Sequence, residues 1–184
     1  MSQPMKVEIW SDVVCPWCYI GKRRFETALE RFTEATGTEV EIEYRAFMLD
    51  PRAPAEPQPV TDVYAKKFGP AAAQILERVT SEAAGEGLEF RMDIAKRANT
   101  LPAHRLLVLA RTEGLQIELK ERLMQAYFTE GTDIGDRETL VSLAEEVGLD
   151  GETVRSWLSG DGGNDDVADS LVFAAANGVA SVPT

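Results

Sequence analysis

The chain has 184 residues, 44% hydrophobic and 27% charged, which is enough for one sizeable core or two small ones and excludes a disordered or fibrous protein. Its formal net charge of −12 repels phosphate backbones and anionic lipid, and no basic stripe with interleaved aromatics offsets it, so neither nucleic acid nor membrane is an expected partner. The opening MSQPMKVEIW has no basic segment followed by an apolar one and no window approaches a membrane span, so the expected location is cytoplasmic.

In chain order, residues 6–10 (KVEIW) read as a short strand and SDVV as the loop after it. Pro16 opens a helix on which Phe25, Ala28, Leu29 and Phe32 recur at helical spacing until Gly37 stops it. Residues 38–47 (TEVEIEYRAF) alternate Val40, Ile42, Tyr44 and Ala46 against Glu39, Glu41, Glu43 and Arg45, the pattern of an edge strand with one wet face. Strand, helix and strand make a βαβ unit, so the two strands should be parallel and the crossover right-handed.

The proline-rich stretch 50–60 (DPRAPAEPQPV) can continue neither a helix nor a central strand and marks a boundary. Beyond it the pattern predicts helices near 61–68, 70–84, 101–113, 116–129, 136–147 and 152–158, with Pro102 and Asp136 at starts and Gly114 and Gly148 past ends. A last helix near 164–176 leads through Asn177 and Gly178 to VASVPT. Two parallel strands cannot close a sheet covered by so many helices, so further strands are expected after Pro183 in the natural protein. The expected division is a thioredoxin-like part over 1–60 and 161–184 with an all-helical insertion over 61–160, an α/β fold.

The only two cysteines, Cys15 and Cys18, enclose too short a loop for a structural disulfide to contribute much stability, so the pair reads as chemical. At a helix start, Cys15 would be the N-cap, where free N–H groups and the helix dipole lower a thiol pKa. It should be exposed and attack, with Cys18 more buried and resolving the mixed disulfide. Pro16 suits the first helical position and Trp17 offers an apolar platform beside the attacking sulfur. Zinc needs about four ligands and His104 is the only histidine, so no metal is expected unless carboxylates or a second chain contribute. The remaining reading is two inert core thiols.

Four segments resemble one family: VEIWSDVVCPWCYIGKRRFE, RANTLPAHRLLVLA, AYFTEGTDIGD and LAEEVGLD are similar to the DsbA-like thioredoxin superfamily, in its FrnE-like cytoplasmic branch. That resemblance implies a thioredoxin fold interrupted by helices, with a cis-proline loop against the cysteines. Val182-Pro183 matches the loop, where the Val182 backbone would pair with a substrate chain; a trans proline in a frayed terminus is the alternative. Asn99, Thr100 and His104 match an N-T-x-x-x-H pattern whose counterparts in glutathione-dependent isomerases face the active site; otherwise they cap or decorate a helix start. Asp12 either tunes the thiols or bonds nearby backbone N–H groups, and Lys22, Arg23 and Arg24 either add positive potential or form a solvated face.

The implied function is a thiol–disulfide oxidoreductase acting on protein or small-molecule thiols and disulfides, with no metal or organic cofactor and with glutathione or a reductase recycling the pair. The alternatives are a glutathione-dependent isomerase of the 2-hydroxychromene-2-carboxylate type, whose members usually carry serine at the position of Cys15, and a redox-responsive client-binding chaperone. A homodimer is compatible with each.

Overall fold

The computed structural model describes residues 5–184, so the first four residues of the expected 1–60 part lie outside the described residues. Strand β1 spans Met5–Ser11, helix α1 Pro16–Thr36 and strand β2 Val40–Ala46. β1 and β2 pair in parallel from Met5↔Val40 to Ser11↔Ala46, as a βαβ unit requires. Helix α1 stops where Gly37 takes φ 64° and returns its N–H to the Thr33 carbonyl, a left-handed conformation that glycine adopts without steric cost.

The proline-rich stretch ends in Gln58–Pro59 (β3), which pairs antiparallel with Lys96–Arg97 (β4); these two-residue bridges leave no periodic trace in the sequence. Between them run α2 (Val60–Phe68), a 3-10 turn (Gly69–Ala71) and α3 (Ala72–Gly85). Four further helices follow, α4 (Leu101–Thr112), α5 (Gln116–Phe128), α6 (Arg137–Glu146) and α7 (Gly151–Ser159), and then α8 (Asn164–Ala176). The expected helices thus form with their ends shifted by a residue or two, and the predicted start at Asp136 is a cap whose carboxylate accepts from the Thr139 N–H at 2.8 Å.

One continuous apolar cluster links the start of α1 to the helices, running from Cys18, Tyr19 and Ile20 through Leu106, Leu123 and Phe128. Helix α8 lies against the sheet, where Trp10 stacks on Phe173 with ring centroids 5.1 Å apart and donates from Nε1 to the Ser170 carbonyl at 3.1 Å. The expected wet face of β2 holds only in part: Glu43 is buried, because Lys6, Arg45 and Arg111 converge on its carboxylate. After α8 the chain returns to the sheet, and Thr184 exchanges both backbone hydrogen bonds with Trp10, at 2.8 and 3.2 Å. Ser11 bonds toward β2 through Phe47, so Thr184 occupies the opposite edge of β1.

Candidate active site

Cys15 is the N-cap of α1, with extended backbone (φ −84°, ψ 113°), and its sulfur accepts a hydrogen bond from the Cys18 N–H at 3.3 Å. Pro16 follows at the first helical position, where its missing N–H forfeits no intrahelical bond. The loop Asp12–Cys15 is itself closed by a bond from the Cys15 N–H to the Asp12 carbonyl at 3.2 Å. Over this helix start lies the loop of residues 181–184. The Val182–Pro183 bond is cis, and the Cys15 thiol faces the Val182 carbonyl oxygen at 3.7 Å.

Gly21, one turn beyond Cys18, explains how the loop comes so close. A Cβ there would stand 3.1 Å from Pro183 Cγ, so an interior helical glycine, which costs about 1 kcal/mol relative to alanine, is tied to the approach of the proline ring. Cys18, Gly21, Pro183, Val7, Ile9 and Tyr44 line a groove of about 270 Å³ beside the start of α1.

The structure corrects one expectation about the pair. Both cysteines are free thiols, and Cys15 is as buried as Cys18, each 3% exposed, because the Val182–Pro183 loop covers the sulfur that the helix start alone would leave open. Trp17 remains 38% exposed and forms the solvent-facing lip. The charge distribution also differs from a simple N-cap thiolate. A hydrogen bond to Cys18, burial and the neighbouring Cys18 charge push the Cys15 thiol well up. Burial works against a Cys18 anion too, but the Cys15 hydrogen bond, the Ser11 hydroxyl and the Lys120 charge outweigh it and hold Cys18 below the usual thiol range. The two sulfurs therefore titrate as one unit.

Asp12 is fully buried behind the pair. Its Oδ2 accepts from the Leu49 N–H at 2.8 Å, and its Oδ1 meets His104 Nε2 at 3.1 Å. His104 is 2% exposed, so it touches the site through Asp12 and presents no open surface to a substrate. Asn99 bonds the Leu101 N–H at 3.0 Å through Oδ1 and the Ala53 carbonyl at 3.1 Å through Nδ2, pinning the proline-rich stretch to the start of α4; Thr100 is buried beside it. Lys22 and Arg23 form no solvated face: with Glu26 they clamp Glu121 of α5, to which Tyr19 also donates at 2.6 Å. Arg24 alone stays exposed, paired with Glu82 and Glu86.

Sequence reasoning missed Ser11, Gly21, Tyr44 and Lys120. Gly21 carried a signal, a glycine inside an otherwise periodic helix, whereas Lys120 reads as an ordinary polar position of an amphipathic helix.

Comparison with known proteins agrees with this architecture. The DSBA-like thioredoxin domain matches residues 6–184. The chain is 32% identical over 152 residues to the uncharacterised Bacillus subtilis protein YwbO, covering 83% of this chain and 70% of that one. The crystal structure of a probable DsbA oxidoreductase from Streptomyces coelicolor is similar at TM-score 0.90 and 38% identity, over 97% of this chain and 78% of that one. A cytosolic disulfide reductase, DsbM from Pseudomonas aeruginosa, solved with glutathione, shares the fold at TM-score 0.67 and 22% identity, over 98% and 84% of the two chains. The chain belongs to the DsbA-like thioredoxin domain family.

Proposed function

We propose that the chain is a thiol–disulfide oxidoreductase in which Cys15 attacks a substrate disulfide, or receives a substrate thiolate, and Cys18 resolves the mixed disulfide. The observation that carries this reading is the placement of Cys15. Its sulfur caps α1, accepts from the Cys18 N–H at 3.3 Å and lies 3.7 Å from the Val182 carbonyl. A thiolate formed there is held by unsatisfied helix N–H groups, and its mate stands one turn along, within reach of a sulfur it must displace.

In the reductive direction the Cys15 thiolate bonds one substrate sulfur and the other leaves as a thiolate. Cys18 then bonds Cys15, and the first substrate sulfur leaves. The enzyme is oxidised by two electrons and the substrate reduced by two; the reverse order oxidises a dithiol. Because the two thiols titrate together, a thiolate on Cys15 leaves the shared proton on Cys18. The backbone of Val182, beside Cys15, offers a substrate chain a strand-like pairing site. Trp17 is the apolar lip on which it rests, and Asn99 and His104 support the floor from behind. No metal enters these steps; glutathione is the proposed small-molecule thiol that recycles the pair, and the proposed setting is cytoplasmic.

Alkylation and insulin reduction test the assignment together. Cys15→Ser should abolish both insulin reduction and rapid alkylation near neutral pH, whereas Cys18→Ser should retain a reactive thiol and accumulate a mixed disulfide. Equal alkylation of the two variants contradicts the assigned roles.

A further inference from the structure

Where β2, α4, α5 and α8 meet, the structure leaves a cavity of about 20 Å³, room for one guest the size of a water molecule or a monatomic ion. Its lining includes Tyr44 and Arg45 of β2, His104 and Arg111 of α4, Gln116 and Lys120 of α5, and Asp166 of α8.

The charges around this cavity divide into a closed set and a remainder. Lys6, Arg45 and Arg111 meet Glu8, Glu43 and Asp166 in one connected network, three cations to three carboxylates, so that set needs no further ion. Lys120 stands outside it. The side chain is 1% exposed, and among the described residues its Nζ has no hydrogen-bond partner. The buried carboxylate of Asp12 is taken by the Leu49 N–H at 2.8 Å and by His104 at 3.1 Å, and makes no hydrogen bond to Lys120.

Tyr44 offsets part of the cost of burying this ammonium. Its ring centroid lies 5.1 Å from Nζ, and Gln116 fixes the residue by bonding its backbone N–H and carbonyl at 2.8 and 3.0 Å. A ring face is no substitute for a counter-charge, because a desolvated ion stays costly until it is paired. One uncompensated positive charge beside space for one small guest defines the ligand. Water would satisfy the N–H donors but leave the charge, and a sulfate or phosphate exceeds both the space and the charge.

We propose that this cavity binds a monovalent anion of halide size, held by Lys120 Nζ against the Tyr44 wall, where it joins the β1–β2 sheet to the helices packed on it. The site is independent of the dithiol reading above, and neither stands or falls with the other.

Binding follows the ionisation of Lys120. Burial pushes its ammonium down to about 8, opposed by Cys18, Asp12 and Cys15 and assisted by Lys22. The other titratable or charged groups facing the cavity are Tyr44 and Arg45 from β2, His104 and Arg111 from α4, and Asp166 from α8. Below that pH the cation is present and the anion is held. Above it the site loses its charge, so affinity should fall about tenfold per pH unit.

Chloride NMR on the full chain measures binding directly, because exchange with a protein site broadens the free-ion resonance. With a net charge of −12 the chain offers little non-specific attraction for anions, so the background is small. The unmodified chain should broaden the line well beyond Lys120→Met, bromide should reverse the excess, and gluconate, too large for the cavity, should not. The excess should also fade above pH 8. Exchanging gluconate for chloride at constant ionic strength should raise Tm by about 2–5 °C in the unmodified chain and leave Lys120→Met unmoved. Replacing an unpaired buried charge by an apolar chain of similar length is compatible with folding, so the variant can be measured. Diffraction from a bromide-soaked crystal needs no variant and should place an anomalous peak beside Lys120 Nζ. Broadening that survives in Lys120→Met, a Tm indifferent to the exchange of chloride for gluconate, or a cavity without a bromide peak overturns the proposal.

Discussion

Asp12 stands three residues before Cys15, and a sequence reading divides its role between thiol tuning and backbone bonding. The structure gives it a backbone partner, the Leu49 N–H, and a side-chain partner, His104, and so joins the active-site loop to α4. His104→Ala should leave one oxygen of a fully buried carboxylate unpartnered and cost about 2 kcal/mol of unfolding free energy, measurable by urea denaturation. The pairing was beyond the sequence because 92 residues separate the two side chains, and no local pattern encodes a contact across that distance. Cys15, Pro16 and Cys18 were legible for the opposite reason, since a helix N-terminus and a two-residue spacing are local features. What local reasoning could not supply was the cover: burial of Cys15 comes from residues 181–184, brought back by the whole length of the fold.

Two close fits join the elements, one at the site and one away from it. The first is α1 against the proline loop. Gly21→Ala should raise the helix propensity of α1 yet push Pro183 away by a few tenths of an ångström, so thermal stability should hold while insulin reduction falls several-fold, and Gly21→Val should deepen the loss. The second is the turn between α7 and α8. Arg105 of α4 donates to the carbonyls of Trp157 and Gly160 at 2.8 and 2.6 Å and to that of Gly162 at 2.7 Å, closing the end of α7 with a buried guanidinium. Arg105→Ala should destabilise the chain by about 3 kcal/mol in denaturant unfolding, with little effect on thiol alkylation. Helix positions were readable from period and caps, whereas this turn was not: it is held by α4, and an arginine in a helical pattern reads as solvent-facing until tertiary contacts bury it.

Across the whole molecule, the −12 charge is organised as well as carried. Glu121 is the centre of the clamp between α1 and α5. Burial disfavours its anion, but hydrogen bonds from Lys22, Tyr19 and Arg23 outweigh that cost and hold its carboxyl below the usual value of 4.5. A depressed folded-state pKa stabilises the fold above the unfolded value and loses that contribution as pH falls through the lower folded value. Stability followed by acid titration should therefore drop below about 4.5, and Glu121→Gln should be less stable at neutral pH and show a shallower acid loss. The same clamp seats the first turns of α1, and hence the cysteine pair, on the helical part of the chain.

The proposed redox centre at the start of α1 draws on distant segments: the helix itself, the 181–184 loop that covers Cys15 and, through Asp12 and His104, the start of α4. Equilibrating the protein in glutathione buffers of graded potential and counting free thiols after acid quench tests that account most directly. It predicts one reversible two-electron transition in which Cys15 and Cys18 are lost and regained together. Thiols that stay free in every buffer, or a glutathione adduct that never closes onto Cys18, contradict it.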